Sequence, residues 1–217
     1  MGRKGAGSRR LSESLLNKEI WLCLALLCCI LWETALLVAA MRPEGDEVWK
    51  GEWALAIGVI ADTVRTEIQG APTDMKGSAY DDSFLSERNY GGERKHYGTD
   101  LMDLADTPGR LPIYSMTKGV VTNLGWNELG GWRVGVTSPS GVYYYYAHLH
   151  SYAPGLEIGD TVQPGRLLGY MGDSGYGEEG TTGRFPTHLH LGIQVYPEAG
   201  DESWINPYPF LMERESK

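Results

Sequence analysis

A His-Leu-His triplet occurs twice in this chain, at residues 148–150 and 188–190. In a β-strand, the side chains at positions i and i+2 point to the same face of the sheet. Each triplet, if extended, therefore places two imidazoles on one surface and a leucine on the other. Aromatic and β-branched residues surround both triplets, which favours strands. The two triplets thus predict two strands that each have one polar and one buried face.

Short strand-like runs continue through the chain from Tyr80 onward. They are rich in Val, Ile, Tyr and Trp and are separated by Gly, Pro, Asn and Asp. The clearest runs are residues 132–137, 142–147 and 189–196. The segment 138–141, Ser-Pro-Ser-Gly, lies between two of them and is typical of a hairpin turn. We predict a mostly β fold based on an antiparallel sheet or sandwich with long loops.

The charge is distributed unevenly along the 217 residues, a length that suits one globular domain with appendages. Residues 1–19 carry five basic and two acidic side chains, so the remaining chain has a net charge of −12. A nucleic-acid partner would require a basic face, and the acidic body argues against one.

The five histidines are the residues best suited to chemistry. Besides the two triplets, His96 and Asp100 form a His-x-x-x-Asp motif. The three cysteines, Cys23, Cys28 and Cys29, lie together near the N-terminus, so a metal site in the body must use nitrogen and oxygen ligands. Two histidines and one carboxylate are a common zinc set that leaves one position open for water. The helical His-Glu-x-x-His signature is absent, so a histidine that is not a ligand is expected to transfer protons.

An apolar segment near the N-terminus, residues 20–41, is long enough to cross a bilayer as a helix. Basic residues precede it and acidic residues follow, which predicts a cytoplasmic tail at 1–19 and an extracytoplasmic body. A cleaved signal peptide is the alternative, with Val38–Ala40 as the cleavage site. Glu33 lies inside the apolar segment, where it is either tolerated in a tilted helix or contacts a membrane partner.

Residues 42–75 are predicted to contain a short amphipathic helix and a linker. Apolar side chains recur there at spacings of three and four. They are Trp53, Ile57, Ile60, Val64 and Ile68. Trp49 and Trp53 suit either a membrane interface or packing against the main domain. Gly70–Ser78 is polar and contains Gly and Pro, as linkers do.

A series of short motifs between residues 80 and 211 resembles the LytM/lysostaphin-type zinc endopeptidases. In order they are Ser-Glu-Arg-Asn-Tyr-Gly-Gly at 86–92, His-Tyr-Gly-Thr-Asp at 96–100, Tyr-Ala-His-Leu at 146–149, Gly-Asp-Thr-Val at 159–162, Gly-Tyr-Met-Gly at 169–172, Thr-His-Leu-His-Leu at 187–191 and Ile-Asn-Pro at 205–207. The resemblance implies a LytM-type (lysostaphin-like, duplicated-hybrid-motif-like) antiparallel β domain, which we place at residues 76–213.

The resemblance also implies roles for individual residues. His96, Asp100 and His190 match the zinc ligands of the family, and His148 and His188 match its catalytic histidines. His150 departs from the family pattern, in which a small polar residue is frequent, and is expected at the rim of the groove or on the surface. Two further features are less specific: Arg88 is interpreted as structural, and the glycine-rich loop 173–186 as one wall of the groove or an inert surface loop.

The expected function is zinc-dependent hydrolysis of peptide bonds in peptidoglycan stem peptides or cross-bridges. The expected location is the bacterial cytoplasmic membrane, crossed once by the N-terminal helix, with the catalytic domain outside. A non-catalytic wall-binding or membrane scaffold of the same fold, for example in sporulation or division, is the alternative. A membrane-protein partner is left open by either reading.

Overall fold

A computed structural model describes residues 58–90, 92–195 and 203–215 of the chain. The predicted tail at 1–19 and the predicted membrane anchor at 20–41 lie outside the described residues, as do Trp49 and Trp53. Within the described ranges, no helix combines the length and the apolar character that a membrane span requires.

The described residues form twelve strands and two helices. The helix α1 covers residues 58–67, and α2 covers Tyr208–Glu215. The strands are β1 (Ser78–Tyr80), β2 (Glu87–Arg88), β3 (Arg94–Lys95), β4 (Thr99–Asp103), β5 (Pro112–Tyr114), β6 (Gly119–Asn127), β7 (Gly131–Thr137), β8 (Tyr143–Tyr152), β9 (Thr161–Val162), β10 (Leu167–Met171), β11 (His188–Gln194) and β12 (Trp204–Ile205).

Ten of these strands form one sheet, and β2 and β3 form a separate two-stranded ribbon. The main order across the sheet is β1-β4-β11-β8-β7-β6-β9, with β10 paired to β5 and β8, and β12 paired to β11. Every paired neighbour among the described strands is antiparallel. The predicted mostly β, antiparallel fold is confirmed, and the strand of the second His-Leu-His triplet, β11, lies in the interior of the sheet.

The turn between β7 and β8 forms where the sequence predicts it. Gly141 has a φ of 87°, a left-handed conformation that glycine adopts without strain. Its N–H donates to the Ser138 carbonyl over 3.0 Å, and the Ser138 N–H donates to the Val142 carbonyl over 2.9 Å. Side chains of β8, the strand that follows, alternate between its two faces, and Tyr144 and Tyr146 are fully buried on one of them. The opposite face of β8 is thereby left to carry the site.

The helix α1 packs against the core instead of standing apart from it. Val64 is fully buried, Ile68 just after the helix is 1% exposed, and the Gln69 N–H donates to the Met116 carbonyl over 2.8 Å. The segment predicted as a linker also packs, because buried Thr73 donates its hydroxyl to the Pro112 carbonyl over 2.8 Å. Of the two interpretations of the predicted helix, the described part agrees with packing on the domain.

The sequence analysis does not predict the C-terminal helix α2. Tyr208 begins it directly after Pro207, and the Asn206 side-chain oxygen accepts the Tyr208 N–H over 2.9 Å as a cap. Phe210 and Leu211 enter the core. The helix has only eight residues, too few for an amphipathic period to stand out in the sequence.

The burial of α1 predicts the effect of one pair of substitutions. Val64→Ala removes two methyl groups from a fully buried site and should lower the free energy of unfolding by about 1.5–3 kcal/mol. Val59→Ala makes the same change on the exposed side of the helix, where the side chain is 66% exposed, and should cost less than about 0.5 kcal/mol. Urea denaturation measures both. Equal losses would mean that α1 does not pack on the domain as described.

Candidate metal centre

The pairing of β11 with β4 brings the ends of two sequence motifs together. His190 on β11 lies directly opposite Asp100 on β4 in the antiparallel register. His96 precedes β4 and is held by its N–H, which donates to the Ser86 carbonyl over 2.9 Å. Three side chains that are up to 94 residues apart in the sequence thus meet at one point of the sheet.

The three facing atoms form a nearly equilateral triangle. His96 Nε2 lies 3.0 Å from Asp100 Oδ1 and 2.9 Å from His190 Nδ1, and His190 Nδ1 lies 3.0 Å from Asp100 Oδ1. The three atoms lie close enough together to bind a single ion. A tetrahedral zinc ion with ligands at about 2.0–2.1 Å requires neighbouring ligand atoms to be about 3.3 Å apart. The triangle fits that requirement with a small expansion.

The protonation of these groups also suits a cation. The Nδ1–H of His96 donates to the Ser83 carbonyl over 2.9 Å, which leaves the Nε2 lone pair facing the triangle. Burial lowers the pKa of the His190 imidazole and favours its neutral form. Burial opposes ionisation of Asp100, but the adjacent His190 and His96 imidazoles outweigh it and hold the pKa of this carboxyl below its usual range. Two neutral imidazoles and one carboxylate are a donor set that zinc favours.

Two neighbours orient the side chains of the triangle, a role that the sequence alone does not indicate. Arg88 Nη2 donates to Asp100 Oδ2 over 2.7 Å, so the other oxygen, Oδ1, is directed at the triangle. Gly98 lies under the His190 ring, where an added Cβ would come within 2.6 Å of the ring and 2.5 Å of the Leu191 carbonyl. The placement of this glycine between His96 and Asp100 was the only sequence signal for its function.

The two predicted catalytic histidines lie beside the triangle. The His148 and His188 ring centres are 4.6 Å apart, and His188 Nε2 lies 3.9 Å from Asp100 Oδ1. Each ring donates its Nδ1–H to a backbone carbonyl, His148 to Ser174 over 2.7 Å and His188 to Pro186 over 2.8 Å. Burial lowers the pKa of both imidazoles, which leaves each Nε2 available as a base near neutral pH.

The first His-Leu-His triplet does not present both imidazoles to the same surface. His148 has a φ of 63°, and the pairing of β7 with β8 shifts register between Trp132 and Val134. This β-bulge turns His148 into the site. His150 is exposed and instead lies against Gly109, where an added Cβ would come within 3.0 Å of its ring. The expected common face of residues 148 and 150 is therefore wrong, whereas His188 and His190 do share the cavity.

Ser174 stabilises the bulge, a role for which the sequence carries no signal. Its carbonyl accepts the His148 ring N–H, and its hydroxyl donates to the Leu149 carbonyl over 2.7 Å and accepts the Trp132 N–H over 3.0 Å. The side chain is 1% exposed. A single buried serine thus fixes the conformation of β8 and the orientation of the His148 ring.

All five predicted residues line one open cavity of about 520 Å³. The predicted loop 173–186 forms one wall, since Tyr176 lines the cavity and Phe185 packs 4.6 Å from the His148 ring. Across the sheet, Tyr143, Tyr145 and Trp204 also line it. The cavity is therefore an open groove with aromatic walls, and the triangle of His96, Asp100 and His190 lies in it.

Comparison with known proteins supports a peptidase lineage. Over 138 residues the chain is 42% identical to the L-Ala–D-Glu endopeptidase of Bacillus subtilis, an alignment that covers 63% of this chain and 40% of that protein. The crystal structure of lytM from Ruminococcus gnavus superposes with a TM-score of 0.62 at 55% identity, covering 70% of this chain and 62% of the other. The chain thus spans less than two thirds of the length of each.

A more distant structure shares the fold. A chain of the SpoIIQ–SpoIIIAH pore-forming complex superposes with a TM-score of 0.53 at 19% identity, covering 67% of this chain and 91% of the other. Residues 94–207 match the profile of Peptidase family M23, from just before His96 to just after the last strand. The match includes all five residues predicted for the site and confirms the resemblance inferred from the motifs. The chain belongs to Peptidase family M23.

Proposed function

We propose that this protein is a zinc-dependent endopeptidase that hydrolyses peptide bonds in peptidoglycan. The observation that carries the proposal is the convergence of His96, Asp100 and His190 beside His148 and His188 in one cavity. Family membership and the 42% identity to an L-Ala–D-Glu endopeptidase support a wall peptide as the substrate.

In this proposal the protein provides a preorganised ligand set. His96 Nε2, Asp100 Oδ1 and His190 Nδ1 hold the ion, with Arg88 fixing the carboxylate through its second oxygen. When bound, zinc supplies Lewis-acid polarisation of a peptide carbonyl and lowers the pKa of a water. Because the three ligand atoms occupy one side of the site, the side facing the cavity stays accessible to substrate.

His148 and His188 move the protons. Each has its Nδ1–H engaged by a backbone carbonyl, so Nε2 is the atom that accepts a proton from the attacking water. The same atom, once protonated, donates to the departing amine. The low pKa that burial gives both imidazoles keeps them ready as bases at neutral pH, and the two rings are close enough to serve the same substrate.

The location outside the cytoplasm is part of the proposal. It rests on residues 20–41, the apolar segment with basic residues before it, and these lie outside the described residues. A membrane-held body would limit cleavage to wall close to the membrane surface. A scaffold role is the second candidate, because the SpoIIQ–SpoIIIAH chain shares the fold. A scaffold has no need of the complete ligand and histidine set that this chain retains.

The proposal predicts the outcome of three alanine substitutions. His190→Ala should lose bound zinc, because two ligands remain, and His148→Ala should retain zinc yet lose about 10²–10⁴-fold in peptide release from purified cell wall. His150→Ala, which removes a histidine outside the cavity, should keep both properties. Metal analysis and mass spectrometry of the released peptides measure these effects. A zinc-free wild-type protein that melts normally and releases no peptide would favour the scaffold.

A glycine substitution tests the proposed metal site without any substrate. Gly98→Ala places a methyl group within van der Waals overlap of the His190 ring, so zinc affinity should fall by about 10–100-fold, as expected when the support of a ligand is disturbed. Gly58→Ala is the control, since an added Cβ there meets no atom within 4 Å. Competition with a zinc-binding dye gives both affinities. Unchanged affinity in Gly98→Ala would show that His190 does not hold the ion.

A further inference from the structure

The charge of the cavity differs in sign from that of the body. Four cationic side chains line it, Arg88, Arg94, Lys95 and Arg133, against Asp100 as the one carboxylate among the described lining residues. The chain beyond residue 19 has a net charge of −12. A cationic groove in an acidic body concentrates anionic groups at the site and points to a substrate with negative charge.

Most of these cations already have partners. Arg88 pairs with Asp100 over 2.7 Å, and Lys95 faces Glu87 over 3.4 Å at the surface. Arg94 donates to the Tyr176 hydroxyl over 2.9 Å, and its guanidinium lies 5.7 Å from the centre of that ring. Arg88 therefore supports the triangle, Lys95 belongs to the β2–β3 ribbon, and Arg94 belongs to the wall of the groove.

Arg133 differs from the other three. No carboxylate of the described residues lies within ion-pair distance of it, and its Nε is buried without a hydrogen-bond partner. Burial raises the pKa of the neighbouring Tyr143 phenol, and the charge of Arg133 and a hydrogen bond from its guanidinium to that phenol oppose the rise. A buried Nε–H without a hydrogen-bond partner is costly unless an acceptor such as a carboxylate binds it.

The sheet places Arg133 in line with the metal-ligand triangle. His190 pairs with Ala147 across β11 and β8, and Arg133 lies on the next strand beside the bulge at residues 147 and 148. Two strand spacings separate His190 from Arg133, which is about 10 Å. His190 and Arg133 line the same open cavity, and a Cβ added at Gly125, the residue that pairs with Arg133 on β6, would meet no atom within 4 Å. A substrate chain bound in this cavity can therefore contact both the triangle and Arg133.

An extended peptide advances about 3.4 Å per residue, so Arg133 lies within about three residues of the bond held at the triangle. Peptidoglycan stem peptides carry free carboxylates within that range, whereas an interior stretch of polyglycine carries none. We propose that Arg133 binds a free carboxylate of the substrate and makes this site selective for acidic stem peptides over glycine bridges. This inference rests on the proposed function and names the substrate class of the same site.

The test uses the full, zinc-loaded chain and two peptides. One is a stem peptide that contains an L-Ala–D-Glu linkage with its free α-carboxylate, and the other carries a carboxamide in place of that carboxylate. Binding is measured by calorimetry in a His148→Ala background, so that no hydrolysis intervenes, and kcat/KM is measured with His148 intact. Arg133→Gln removes the proposed contact, Arg133→Lys keeps the charge without the fork, and Arg166→Gln removes an exposed arginine outside the cavity.

The carboxylate peptide should bind about 10–100-fold more tightly than the carboxamide peptide, as a charged hydrogen-bonded pair predicts. Arg133→Gln should abolish that preference, Arg133→Lys should restore part of it, and Arg166→Gln should leave it intact. Equal affinities for the two peptides when Arg133 is present, or no binding of either peptide, would overturn the inference. Equal cleavage of both peptides would overturn it while the proposed function stands. If the carboxylate peptide binds selectively but the chain with His148 intact cleaves neither peptide, the proposed function is rejected instead.

Discussion

The site depends on one strand register. β11 lies between β4 and β8, and its hydrogen bonds place His190 opposite Asp100 on one side and Ala147 on the other. A slip of one residue would turn His188 and His190 away from the cavity and Leu189 into it. The fully buried Leu189 and Leu191 resist that slip, because exposing them would cost roughly 1.5–3 kcal/mol each. Burial of the leucines on one face of β11 therefore fixes the register that directs the histidines on the other face into the cavity.

Around that register the backbone departs from regular geometry where the site requires it. His148 takes a left-handed conformation at a bulge, which costs energy for a residue with a side chain, and Ser174 supplies the hydrogen bonds that hold it. Gly98 allows the His190 ring to lie against the backbone. Departures of this kind gather at functional sites because the surrounding fold can stabilise them. Here the core of the sheet supplies that stability.

Local chemistry explains how much the sequence could predict. Alternation and turn residues were sufficient for an antiparallel β fold, for the hairpin at residue 141 and for the face that His188 and His190 share. A bulge leaves no periodic signal, so the divergence of His148 and His150 was not foreseen. Contacts between distant segments, such as Arg88 with Asp100 or Ser174 with His148, arise only from the folded topology. The eight-residue helix α2 is stabilised by burial of Phe210 and Leu211 more than by its own propensity.

The central claim is that three atoms, His96 Nε2, Asp100 Oδ1 and His190 Nδ1, hold one zinc ion. Crystals of the protein grown with zinc, measured at the zinc absorption edge, test it directly through anomalous scattering. The account predicts one strong peak within about 2.0–2.2 Å of all three atoms. A zinc ion bound elsewhere, for example between His148 and His188, or no peak at the triangle, would contradict it.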